Sequence, residues 1–81
     1  MREVALRKSI ERRDLLLEKI ENQAEHFHKN EISAEMLSTY CDNCRYEFKG
    51  YINSLMDMGI ITADDVQILW DGFIDEMNDI Q

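Results

Sequence analysis

Few residues in this chain could do chemistry, and the most conspicuous are Cys41-Asp42-Asn43-Cys44, whose spacing serves both metal binding and thiol redox work. A redox pair needs a lowered thiol pKa, usually from a helix N-terminus, where the dipole stabilises the thiolate. This pair instead falls in the middle of an expected helix, with both sulfurs on its apolar seam. Zinc would need two more ligands, and His26 and His28, the only histidines, end the preceding helix more than a turn from Cys41. The expectation is two small buried thiols, with no catalytic residue, no metal and no cofactor. The histidines are expected on the surface, where a cation suits the C-terminal end of a helix.

The second candidate is acidic. Asp64, Asp71, Asp75 and Asp79 recur at intervals of 7, 4 and 4, which places them on one helix face, with Glu76 beside them and no basic residue in that segment. Like charges four residues apart each cost about 0.2–0.5 kcal/mol, and carboxylates near a helix C-terminus oppose its dipole. A local rule broken without local compensation points to a use outside the helix, so these five residues are the expected partner-binding set. The competing reading is a solvated face that keeps a small protein in solution. Trp70, Phe73 and Met77 also sit at helical spacing and are expected in the core rather than in a partner groove.

Charge sharpens the contrast. The net charge is -8 over 81 residues, but residues 1–30 hold seven basic residues against six acidic ones, whereas residues 31–81 hold only Arg45 and Lys49 against eleven carboxylates. Such a surface repels a phosphate backbone, which argues against direct nucleic-acid binding. No apolar run is long enough to cross a membrane, no secretory leader follows Met1, and two cysteines make no secreted framework, so a reducing cytoplasm is the expected address.

These residues must be positioned by helices. There is no proline and only three glycines, so the punctuation that strands and hairpins require is missing. Leu6, Ile10, Leu17, Ile20, Ala24 and Phe27 give a helical rhythm, interrupted at Arg13, for a first helix over about 3–28. Ser33 is a suitable N-cap for a second over 34–58, with the seam Leu37, Cys41, Cys44, Phe48, Tyr51, Leu55 and Met58, closed by Gly59. Thr62 caps a third over 63–80, with the seam Val66, Trp70, Phe73, Met77 and Ile80, widened by Leu69 and Ile74. Gly50 and Gly72 fall at outward positions. The expected architecture is all-α, a single domain over 1–81: a long antiparallel hairpin of the first two helices with the third packed across it. Pairing residues that sum to about 64 sets Leu6 on Met58, Ile10 on Leu55, Arg13 on Tyr51, Ala24 on Cys41 and Phe27 on Leu37.

The first helix also carries Leu6-Arg7-x-x-Ile10-Glu11-x-x-Asp14-x-x-Leu17, over less than a quarter of the chain, which resembles the first helix of the all-helical chorismate mutases. The resemblance implies basic residues from several helices clamping a dicarboxylate substrate. Ala24 stands where the family's next first-helix arginine would fall, and the later helices offer only Arg45 and Lys49. A small enzyme of this type is therefore one alternative function, and an acidic mimic of nucleic acid that occupies a DNA-binding protein is another. The reading preferred on the residues is non-enzymatic: a small regulator or inhibitor that binds another protein with a basic surface through its acidic third helix. Ile68, Tyr46 and Met36 fall outside every seam, and a homodimer is expected to cover them.

Overall fold

The computed structural model describes residues 1–80, which form three helices: α1 (Arg2–His28), α2 (Ala34–Asp57) and α3 (Ala63–Ile80). Each boundary has a local cause. At the end of α1, Asn30 takes a left-handed φ of 61°, and the N–H groups of Glu31 and Asn30 donate to the carbonyls of His26 (2.8 Å) and Phe27 (3.0 Å). Asparagine tolerates that backbone better than most residues. Ser33 Oγ accepts from the Met36 N–H at 3.1 Å and opens α2. Gly59, with φ of 74°, closes it, and Ile60 N–H returns to the Leu55 carbonyl at 2.9 Å. At the start of α3, Thr62 and Asp65 cap one another: Thr62 Oγ1 accepts from Asp65 N–H at 3.1 Å, and the Asp65 carboxylate accepts from Thr62 N–H at 3.0 Å.

The helices run up, down and up, so α2 is antiparallel to both neighbours, and α3 packs against α1 and α2 as a three-helix bundle. Phe48 and Phe73 are fully buried at its centre, with ring centroids 5.0 Å apart and planes 28° from parallel. Leu16, Ile20, Ile52 and Met77 complete the layers around them.

Toward its N-terminus the face that α1 turns inward differs from the expected seam, whereas Leu17, Ile20 and Ala24 are buried as expected. Its buried residues are Ala5, Ser9, Leu16, Leu17, Ile20 and Ala24, while Ile10 is 41% exposed. Ser9 is the reason a search for apolar residues passes over this stripe. Its hydroxyl donates to the Ala5 carbonyl at 2.8 Å, which satisfies the group within the helix and leaves a small residue fit for close packing. The pairing shifts by one residue as a result. Arg12, not Arg13, lies over the Tyr51 ring, 5.0 Å from its centroid. On α2, Ile52 is buried in place of Tyr51 and Leu55, which are half-buried, and Met58 is 65% exposed.

Arg13 turns instead toward α3 and covers Gly72. A Cβ at that glycine would stand 3.0 Å from Arg13 Nη1, so the position is not the outward one that the heptad suggests. Gly50 does face open space, with nothing within 4 Å of its missing Cβ. Gly50→Ala should therefore stabilise the fold by up to about 1 kcal/mol, the helix-propensity difference, raising Tm by roughly 4–8 °C. Gly72→Ala should gain less, because Arg13 must move aside. Chemical denaturation of the two variants checks this, and equal gains would mean that Arg13 does not hold its place over Gly72.

Candidate interaction surface

Cys41 and Cys44 project from the middle of α2, 1% and 6% exposed, into different surroundings. Cys41 lines a cleft of about 210 Å³ at the end of the bundle with Ala24, Phe27 and Leu37. Cys44 faces Leu16, Lys19 and Tyr40 on the α1/α2 side, and burial pushes its thiol pKa up, the opposite of what a redox cysteine needs. His28 borders the same cleft as Cys41, nearer than the expected register puts it, but among the described residues no three His, Cys, Asp or Glu side chains gather as a metal set. The cleft is smaller than the roughly 300 Å³ at which small-molecule sites begin. Native protein should therefore react slowly with a thiol reagent such as dithionitrobenzoate, with full labelling only after denaturation. Rapid labelling of either cysteine in the native state would overturn the buried placement.

The acidic third helix does not act as one block. Asp65 is drawn out of it. Arg2, in the first turn of α1, donates from Nη2 and Nε to the Asp65 carboxylate at 2.7 and 3.0 Å, and the Asp65 side chain is only 8% exposed. The sequence leads one to expect six carboxylates without a counter-charge on this helix, and the Arg2 pair corrects that expectation. Two helix starts lie side by side here, and each makes positive potential. Arg2 alone would be unfavourable at the first turn of α1. One carboxylate that receives the Arg2 fork and the Thr62 N–H offsets all of this positive charge. Those hydrogen bonds, the Arg2 pair first, hold the Asp65 pKa down to about 2.

The remaining five, Asp64, Asp71, Asp75, Glu76 and Asp79, are exposed, and among the described residues none of them makes a salt bridge. Asp71 accepts a hydrogen bond from the Gln67 amide at 2.8 Å. Asp64, Asp71 and Asp75 face outward together with Ile68, which is 70% exposed. Glu76 and Asp79 follow Gly72 by four and seven residues, which turns them toward the α1 edge of this face.

A second feature escapes the sequence reading. Trp70, expected in the core, is only half-buried, and its ring packs 5.9 Å from Phe73 on one side while Lys49 Nζ lies 5.9 Å from its centroid on the other. Arg45, Tyr46 and Asp42 border the same cleft between α2 and α3, and Arg45 donates to Asp42 at 2.5 Å. A signal for it exists in the spacing: Arg45, Tyr46 and Lys49 lie on the flank of α2 next to its seam. The mutase likeness implies basic residues that converge from several helices; Arg7 is exposed on α1, and Arg45 and Lys49, both from α2, line the α2/α3 cleft. Comparisons of the chain with protein-family models, curated proteins and solved structures found no match. No described helix is long and apolar enough to cross a membrane.

Asp65 supplies a pH prediction with a definite sign. A carboxylate whose folded pKa lies below its unfolded value near 4 contributes stability that is complete above about pH 4 and is lost as pH falls toward about 2. Asp65→Asn should lower Tm at pH 7, and its deficit against the wild type should shrink as pH falls through that window. Thermal unfolding followed by circular dichroism reads the deficit, and a constant difference from pH 7 to 2 would show that the charge of Asp65 contributes nothing.

Proposed function

We propose that the protein is a non-enzymatic binding module, a small regulator or inhibitor that engages the basic surface of another protein through α3. One observation carries this reading: five carboxylates stand exposed on a single helix with no salt bridge among the described residues, while Arg2, which reaches the first turn of α3, is held by Asp65. Among the described residues no cation pairs with any of the five, and helix energetics oppose several of them. A partner that supplies cations would reverse the sign of both costs. Carboxylates on an exposed face act mainly by steering encounter and selecting the partner, more than by adding raw affinity.

The acidic face is one helix wide, and α2 beside it presents Arg45 and Lys49, which favours a localised protein contact over imitation of a long phosphate backbone. The test is capture of binding proteins from the native host on wild-type protein and on a D71N/D75N/D79N variant, followed by association rates for the captured protein. The variant should keep its fold, or gain slightly in stability, and should associate at least about tenfold more slowly at low ionic strength, with a weaker salt dependence. Equal rates and equal salt slopes, with only solubility reduced, would leave the stripe as a solvated face.

A further inference from the structure

The groove between α2 and α3 is electrically unlike the rest of the later chain. Residues 31–81 carry eleven carboxylates against two basic residues, Arg45 and Lys49, and both of these cations line the groove. Among the described residues that line it there is no carboxylate of α3, and the one acidic member is Asp42, from α2 itself. Arg45 donates to Asp42 through Nη1 alone, and a guanidinium has several N–H donors, so most of them remain to serve another acceptor. Lys49 is exposed and makes no salt bridge among the described residues. The Trp70 ring takes one side of its ammonium, 5.9 Å from Nζ to the centroid, and leaves the rest to solvent.

Beside the cations the groove is apolar. It runs from a hollow of about 120 Å³ next to Tyr46 to one of about 320 Å³ over Ile52 and Val66, and Lys49 and Trp70 border both. From Asp42 to Asn53 it follows α2 for about 16 Å, roughly three helical turns. Tyr46, 74% exposed, stands at its open edge. Tryptophan, tyrosine and arginine are the residues in which binding energy concentrates at protein interfaces, and one of each borders this single groove.

We infer that this groove receives an amphipathic helix of another protein, with its apolar stripe over Ile52, Val66 and Trp70 and two carboxylates of one flank against Lys49 and Arg45. These cations are four residues apart on α2, and carboxylates four apart on the incoming helix repeat that one-turn distance. Apolar anchors at the same spacing are what lays a helix into a groove. A basic flank would meet two like charges instead. The acidic match is short, since Glu47 and Asp57 on α2 and Asp71 on α3 lie outside the lining and repel a longer run of carboxylates. This flank of α3 differs from the one whose carboxylates are proposed to meet a basic partner, and it takes its helix independently of that partner.

Trp70 is the single tryptophan of the chain, so its fluorescence reports on the groove directly. The probe is a synthetic peptide of about fifteen residues, long enough to form a helix, with leucines at helical spacing and glutamates one turn apart on one flank. A companion peptide has lysine in place of each glutamate. At physiological ionic strength the glutamate peptide should change Trp70 fluorescence saturably below millimolar concentration and move the amide resonances of residues 45–53 and 66–70. It should also bind at least about tenfold more tightly than the lysine peptide. A chain of net charge -8 attracts the lysine peptide at long range, so a preference for glutamate arises only from the groove. Lys49→Glu changes an exposed site, should keep its helix content by circular dichroism, and should weaken the glutamate peptide by at least about tenfold. The D71N/D75N/D79N variant should bind that peptide at least as well as the wild type, so the two surfaces of α3 are read separately. The proposal is overturned by no saturable change up to millimolar peptide, by equal affinity for the two peptides, or by shifts centred outside the groove. It is also overturned by a Lys49→Glu variant that binds the glutamate peptide as tightly as the wild type, or by a triple variant that loses it.

Discussion

The bundle depends on a parallel contact between α1 and α3 that short loops do not dictate, and the interaction that sets it is the Asp65 carboxylate. It accepts the guanidinium fork of Arg2 and the N–H of Thr62 at once, which ties together the starts of two helices 63 residues apart in sequence. With those starts level, Arg13 comes to lie over Gly72 and the stripe of Ala5, Ser9, Leu16 and Ile20 faces the layer of Phe48 and Phe73. A carboxylate suits this place better than an apolar residue would. The two helix starts and Arg2 would otherwise leave positive charge concentrated at one end of a small core, and a chain of 81 residues has little burial in reserve to offset it.

Much of the architecture is legible in the sequence because the helix boundaries are written in local chemistry. Ser33, Gly59 and Thr62 each act through their nearest neighbours, and the structure places each at the expected kind of terminus. Rotation about the helix axis is what spacing alone does not give. The expected seam on α1 passes through Leu6 and Ile10, because both are apolar and suitably spaced. The buried face instead runs through Ala5 and Ser9, where small size and a hydroxyl satisfied at Ala5 permit closer approach. That difference is one residue, and it moves Arg12 onto Tyr51 and releases Arg13 to α3.

The candidate surface is legible to the same extent and no further. Spacing alone identifies an acidic face on α3, since periodicity needs no partner to be seen. It does not reveal which carboxylate the fold consumes, because Asp65 looks like its neighbour Asp64 until Arg2 is brought to it from the other end of the sequence. Nor does it show that Trp70 stands at the edge of the core, where a lysine from α2 shares its ring with solvent. Both facts are tertiary, and both bear on function more directly than the charge count.

Beside the core and the Asp65 junction, α2 and α3 present two adjoining flanks of opposite character: cations and exposed aromatic surface on α2, and carboxylates around Ile68 on α3. Opposite charges at equal height on neighbouring helices could have closed on each other within one chain. They do not, because Arg45 is engaged by Asp42 and Lys49 by the Trp70 ring, while Asp71 and Asp75 point away from α2 on the far side of their helix. The separation is about half a helix circumference, which no side chain on α2 spans without leaving its own contacts. A second molecule meets no such restriction, since it approaches α3 from outside. The geometry that prevents neutralisation within the chain therefore leaves the α3 carboxylates facing outward, where a basic partner that approaches from outside can supply their counter-charges.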